Sequence, residues 1–281
     1  MKLSPFESEY ADSVLPTFEG APATHSVVRM SADAETPWTQ MSVLLGTTVI
    51  QAVQSFYLAK RSMQYFGDLP ENDDRVAKAI GDINSRLIRM AVLDIAALND
   101  GGLVGNDPEN TRTASLPTIH QRMKRHLTDA HASAAELDHL HKLRTDINGD
   151  HYAPLKYVRH LRNKWAGHPS LDRRFDAWAS ADKTLSIAAV EAALARLVNN
   201  AHNTALLVSS APALQDFRQP PTVANPNGSI PMEVNLSDVL VWSELMRESA
   251  GREVRALRAQ ITGETKLERL AHTEAYRGEQ Y

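Results

Sequence analysis

Arg162, Asn163 and His168 are the residues of this sequence whose types and spacing are best suited to chemistry. They form the pattern R-N-x4-H at the end of a predicted helix. Arginine is permanently protonated and can hold two phosphate oxygens at once, whereas histidine titrates near neutral pH and can transfer a proton. Residues of these types are suited to binding a phosphate group and to proton transfer beside it.

The helix that must position these residues is called here the Arg–His helix. Pro154 suits its first turn, where a missing N–H is not needed, and Gly167 followed by Pro169 predicts its end. His168 would then lie just past the last turn. The buried face is predicted from apolar residues at helical spacing, namely Leu155, Val158, Leu161 and Trp165.

Positive charge is concentrated around this helix. The whole chain is acidic, with 30 Lys and Arg against 34 Asp and Glu. Residues 155–174 nevertheless contain several basic residues and one acid, Asp172. Such a local excess of charge favours binding of a phosphate backbone. The residues predicted to bind that backbone are Lys156, Arg159, Lys164, Arg173 and Arg174.

The R-N-x4-H pattern resembles the signature of the HEPN superfamily, in which an Arg, a polar residue, a short spacer and a His follow one another near a helix end. The order of predicted helices resembles the abortive-infection U-type branch of that superfamily over residues 38–210. The resemblance implies an all-helical fold, metal-independent RNA cleavage by Arg162, Asn163 and His168, and a site formed by two copies of the chain.

RNA cleavage of this kind uses the ribose 2′-hydroxyl as the nucleophile. His168 suits the proton transfer, Arg162 the charge on the phosphorane, and Asn163 the orientation of the phosphate or the imidazole. One histidine per chain covers one proton transfer, so a two-fold dimer would bring a second copy to the cleft.

Two alternatives stay open at this stage. Arg and His at a helix end can simply bind the last carbonyl groups and complement the helix dipole. The domain can also be a non-catalytic helical module that binds RNA or protein. The expected partners are RNA, a second copy of the chain, and an antitoxin or other defence-system protein.

Helical periodicity recurs along the chain and no convincing strand does, so the predicted fold class is all-α. The resemblance further implies an antiparallel helical bundle of the HEPN type, here with an extra C-terminal amphipathic helix. Predicted core positions include Met63, Ile83, Leu257 and Ile261. The predicted divisions are an N-terminal arm 1–37, a HEPN-like domain 38–210, a Pro-rich linker or wrapping loop 211–235, a C-terminal helix 236–262 packed on the domain, and a charged tail 263–281.

The sequence indicates no metal and no cofactor. It has no cysteine, which excludes disulfides and thiolate metal sites, and its histidines fit no metal-ligand spacing and are read as solvated. Asp94 is predicted to form an ion pair with Arg89 or Arg86 rather than to serve the site. Polar residues interrupt every apolar run, so no membrane span and a cytoplasmic location are expected.

Overall fold

A computed structural model describes residues 37–67, 74–101, 114–166, 185–218 and 233–263. All regular structure in these ranges is helical, which confirms the predicted all-α class. The α-helices are α1 Pro37–Phe66, α2 Asp74–Leu98, α3 Leu116–Asp129, α4 Ala134–Asp146, α5 Ala153–Leu161, α6 Ile187–Ser210 and α7 Val239–Thr262. The predicted divisions at 1–37 and 263–281 lie almost wholly outside the described residues.

The long helices α1 and α2 pack against each other. Seven residues separate Phe66 from Asp74, and such a segment reaches at most about 25 Å. Since α2 has 25 residues and is therefore about 37 Å long, the two helices must run in opposite directions. They form a helical hairpin, and α7 packs on the α1 side of it.

One hydrophobic core joins all seven helices. Its largest fully buried side chains include Phe56 of α1, Ile95 of α2, Leu116 of α3 and Leu194 of α6. The Arg–His helix contributes Leu155 and Val158 to this core, as its periodicity predicted. Burial of these side chains fixes α5 between α2 and α6.

Helix starts follow the local signals of the sequence. Ser133 and Glu136 form a capping box, in which each side chain binds the backbone N–H of the other residue. Pro154 lies in the first turn of α5 as predicted. Ser115, which the sequence analysis did not assign as a cap, accepts a hydrogen bond from the Thr118 N–H and begins α3.

Four predicted core positions are wrong. Met63, Ile83, Leu257 and Ile261 are between 37% and 56% exposed. In α7 the buried stripe continues through Val254 and Arg258 instead. A guanidinium can occupy that position because it donates to the Tyr65 carbonyl at the end of α1, and a pattern of apolar residues cannot reveal such a pairing.

The two described ends of segment 211–235 pack on the helices. Residues Pro212–Phe217 form a 3-10 helix, and Leu214 and Phe217 are buried. At the other end, the Val234 N–H donates to Thr47 Oγ1 of α1 over 3.1 Å. Val234 and Leu236, which precede α7, are both buried.

In α1 the apolar run is interrupted by polar residues such as Gln51 and Gln54 rather than by charged ones. No charged residue occurs between Pro37 and Ala59. By length and composition, Gln40–Phe66 is the one described helix apolar enough to cross a membrane. More than half of its apolar window is buried inside the protein, and a core helix passes the same test, so this helix alone is weak evidence for a span.

Candidate functional site

The Arg–His helix changes its geometry at the predicted site. The α-helix ends at Leu161, and residues Arg162–Ala166 continue it as a π-helical turn. Such turns are rare, widen the helix and often occur at functional sites. The Ala166 carbonyl at the end of the turn accepts a hydrogen bond from Arg89 Nε of α2 at 2.8 Å. This bond anchors the end of the turn to a long core helix.

Arg162 is held by two neighbouring side chains. Its Nη1 lies 3.1 Å from Asp100 Oδ2, just after α2, and its Nε donates to Asn163 Oδ1 at 3.1 Å. The described contacts therefore bind Arg162 to a carboxylate and an amide, not to the last carbonyl groups of the helix. Both members of the ion pair are partly exposed, at 36% and 45% of the side chain, and can be reached by a ligand.

A cleft of about 330 Å³ lies beside Arg162, between the ends of α2 and α5. Arg159 and Arg162 bring positive charge to it, and Asp100 is the acid among its lining residues. The lining residues are Ile95, Ala96, Asn99, Asp100, Gly101, Leu155, Val158, Arg159 and Arg162. The cleft therefore combines apolar side chains with the charged groups of Arg159, Arg162 and Asp100.

The predicted basic residues do not all meet at this cleft. Arg159 lines it and packs so closely on Gly149 that a Cβ there would overlap its guanidinium. Its Nη1 lies 3.6 Å from Asp150 Oδ1. Lys156 is exposed and Lys164 is partly buried, and neither lines the cleft. His168, Arg173 and Arg174 lie outside the described residues.

A second, larger groove adjoins the first. It has a volume of about 630 Å³ and shares Asn99, Gly101 and Arg159 with the cleft at Arg162. Lys124 of α3 and Arg144 of α4 add two cations that the sequence analysis did not select. They lie on different helices and far from residues 155–174 in the chain, so local charge counting could not find them.

His120 forms part of this second groove and corrects the prediction that the histidines are solvated. It is fully buried, and its Nε2 lies 2.8 Å from Thr204 Oγ1. Because the Thr204 hydroxyl donates its hydrogen to the Asn200 carbonyl, Nε2 must be the donor to Thr204. Burial, with a smaller effect of the Arg144 charge, lowers the pKa of His120 to about 3. The ring is therefore neutral at physiological pH.

The surroundings of Asp94 correct a further prediction. Asp94 forms no ion pair within the described residues, so the predicted pair with Arg89 or Arg86 is wrong. Arg89 instead binds Ala166, and partial burial raises the pKa of Asp94 to about 6. No group of three metal-ligating side chains occurs in the ranges that the structure describes.

No protein-family model, curated protein or solved structure matches this chain.

Proposed function

We propose that this protein is a metal-independent endoribonuclease of the HEPN type that acts in phage defence by abortive infection or as the toxin of a toxin–antitoxin pair. The observation that carries the proposal is the position of Arg162. It lies in a π-helical turn at the mouth of a cleft that also contains Arg159, in contact with Asn163. A guanidinium in this position is suited to a phosphate group.

In the proposed reaction the ribose 2′-hydroxyl attacks the adjacent phosphorus. The new P–O bond closes a 2′,3′-cyclic phosphate, and the bond to the 5′-oxygen breaks. Arg162 stabilises the negative charge of the phosphorane, and Asn163 orients the guanidinium through the contact at 3.1 Å. His168 takes the proton from the 2′-hydroxyl or gives one to the leaving 5′-oxygen.

A homodimer would supply the second proton carrier. One chain carries one His168, and balanced cleavage needs a proton removed from one oxygen and a proton given to another. Two copies of the site facing each other would meet both needs. The further partners proposed are RNA as substrate and an antitoxin or other defence-system protein, in the cytoplasm.

The alternative is a non-catalytic helical module that binds RNA or protein. The ion pair between Arg162 and Asp100 favours this function, because it gives Arg162 a structural role that joins the end of α5 to the chain after α2. A purely structural pair needs no substrate.

Cleavage of RNA by purified protein separates the two functions. Wild type, Arg162→Ala and His168→Ala would be purified free of any antitoxin and incubated with varied RNAs in EDTA. We expect wild-type products that end in 2′,3′-cyclic phosphate, no cut where the scissile ribose carries a 2′-O-methyl group, and little cleavage by either variant. Intact RNA with wild type, or equal cleavage by His168→Ala, would leave the binding module as the function.

Expression toxicity provides the cellular test. Wild type should arrest growth and fragment total RNA, and His168→Ala should do neither at the same protein level. Equal growth arrest by both proteins would contradict the catalytic proposal.

A further inference from the structure

The second groove lies between α3, α4 and α5 and is called here the basic groove. Its described lining residues are Asn99, Gly101, Pro117, His120, Gln121, Lys124, His141, Arg144, Thr145, Ile147, Asn148, Gly149 and Arg159. None of them is acidic. Three of them, Lys124, Arg144 and Arg159, carry a full positive charge, and each comes from a different helix.

The cations of the basic groove differ from other surface cations in their partners. Elsewhere on the same surface, Lys142 binds Asp138 at 2.8 Å and Arg196 lies 3.4 Å from Asp146. Lys124 and Arg144 form no ion pair within the described residues. Arg159 has Asp150 at the edge of the groove, 3.6 Å away. The groove therefore combines concentrated positive charge with little internal compensation.

The walls of the basic groove are held in place by buried contacts. Below it, His120 is tied to Thr204 of α6. Asn200, one turn earlier on α6, donates from Nδ2 to the Leu143 carbonyl of α4 at 2.8 Å. Arg144 and the α3 wall are thus fixed to the same core helix. A preformed cationic surface needs little reorganisation to bind an anion.

We propose that the basic groove binds phosphates of the RNA strand that flank the phosphate held at Arg162. The shared residues Asn99, Gly101 and Arg159 make the cleft and the groove continuous, so one strand can contact Arg162, Arg159 and then Arg144 or Lys124. This inference rests on the proposed function for its ligand, RNA, but not for its chemistry. It adds Lys124 and Arg144 to the RNA-binding residues predicted from sequence.

The test uses binding rather than cleavage. A single-stranded RNA of about 12 nucleotides, with 2′-O-methyl on every ribose, cannot be cut by 2′-hydroxyl attack and reports affinity alone. The groove variant is Lys124→Glu with Arg144→Glu. The matched control is Arg125→Glu with Lys142→Glu, which makes the same change of charge on the same two helices with side chains that do not line the groove.

We expect the groove variant to bind at least about tenfold more weakly than wild type and to lose about one to two units of slope in log Kd against log salt, since each phosphate contact to a single strand contributes roughly 0.7. The control should change affinity less than about threefold. Thermal unfolding of all three proteins would confirm that each is folded.

Equal affinity of wild type and the groove variant would overturn the inference, and so would equal losses in the groove variant and the control. A wild type that binds the methylated RNA but leaves ordinary RNA intact overturns the catalytic proposal alone. A groove variant that keeps both wild-type affinity and wild-type cleavage overturns the groove alone.

Discussion

Arg162 Nη1 and Asp100 Oδ2 lie 3.1 Å apart and join the π-helical end of the Arg–His helix to the chain that follows α2. The pair lies at the cleft where a phosphate is proposed to bind. Asp100 therefore binds an N–H group of the Arg162 guanidinium that a substrate phosphate would need. An exposed pair of this type contributes only about 0.2–1 kcal/mol to stability, so a phosphate can replace the carboxylate at small cost.

Asp100→Asn should strengthen RNA binding several-fold. The amide removes a negative charge from the cleft and leaves Arg162 available, while the free energy of unfolding should change by less than about 1 kcal/mol. Asp138→Asn is the matched control, because Asp138 forms an exposed pair with Lys142 outside the cleft. Fluorescence anisotropy with labelled RNA measures the effect. Weaker binding by Asp100→Asn would indicate that the ion pair itself holds the site in place.

Arg162→Ala should lower the rate of RNA cleavage by about two to three orders of magnitude, the usual cost of losing a group that stabilises transition-state charge. Arg162→Lys keeps the charge but loses the two-pronged geometry, so it should recover only part of the rate. Single-turnover cleavage of labelled RNA gives both values. Full activity in Arg162→Ala would remove Arg162 from the mechanism.

The proposed dimer should bury on the order of 1,000 Å² or more in total and include the Arg–His helix. Light scattering across a wide range of protein concentrations should therefore give twice the monomer mass, with dissociation at the dilute end. Trp165 lies on this helix, is partly buried and packs against the core, and its fluorescence offers a second probe of assembly. A monomer mass at every concentration would contradict the dimer.

Stability should fall in acid because of His120. Its pKa in the folded protein, about 3, is below the ordinary value of 6.5. Between these values the unfolded chain binds a proton that the folded chain does not. The contribution of His120 to the free energy of unfolding is therefore fully present above pH 6.5 and decreases as the pH falls. At pH 5 the loss from this residue should be on the order of 2 kcal/mol.

His120→Gln should weaken this acid dependence, since an amide can still donate to Thr204 and does not titrate. Urea unfolding at pH 7.5 and pH 5 gives the difference for each protein. His139→Gln, at an exposed position of α4, should leave the difference unchanged. An identical pH dependence in wild type and His120→Gln would show that the buried imidazole is not its source.

Gly46→Ala should destabilise the protein, whereas Gly81→Ala should not. A Cβ at Gly46 would overlap the Val234 carbonyl oxygen, which packs on α1, but a Cβ at Gly81 meets nothing within 4 Å. Overpacking at Gly46 should cost about 1–3 kcal/mol, and alanine at the exposed helical Gly81 should contribute about 0.5–1 kcal/mol of stability. Thermal unfolding of both variants measures this. A neutral Gly46→Ala would show that Val234 can move.

The sequence by itself determined the helices, because the signals that form them are local. Helical periodicity predicted the all-α class, and Pro154 marked the first turn of α5. It also selected Arg162 and Asn163, which do lie in contact. The predicted partner His168 lies outside the described residues, so that part of the site stays a prediction.

Only the tertiary structure decided which distant residues meet. Asp100 pairs with Arg162 across 62 positions of sequence, His120 with Thr204 across 84, and Arg258 with Tyr65 across 193. Helical periodicity shows which face of a helix is apolar. It does not show which other helix packs against that face, or which polar groups there form hydrogen bonds. The basic groove could not be predicted from the sequence for the same reason, because Lys124, Arg144 and Arg159 line one groove only when α3, α4 and α5 pack together.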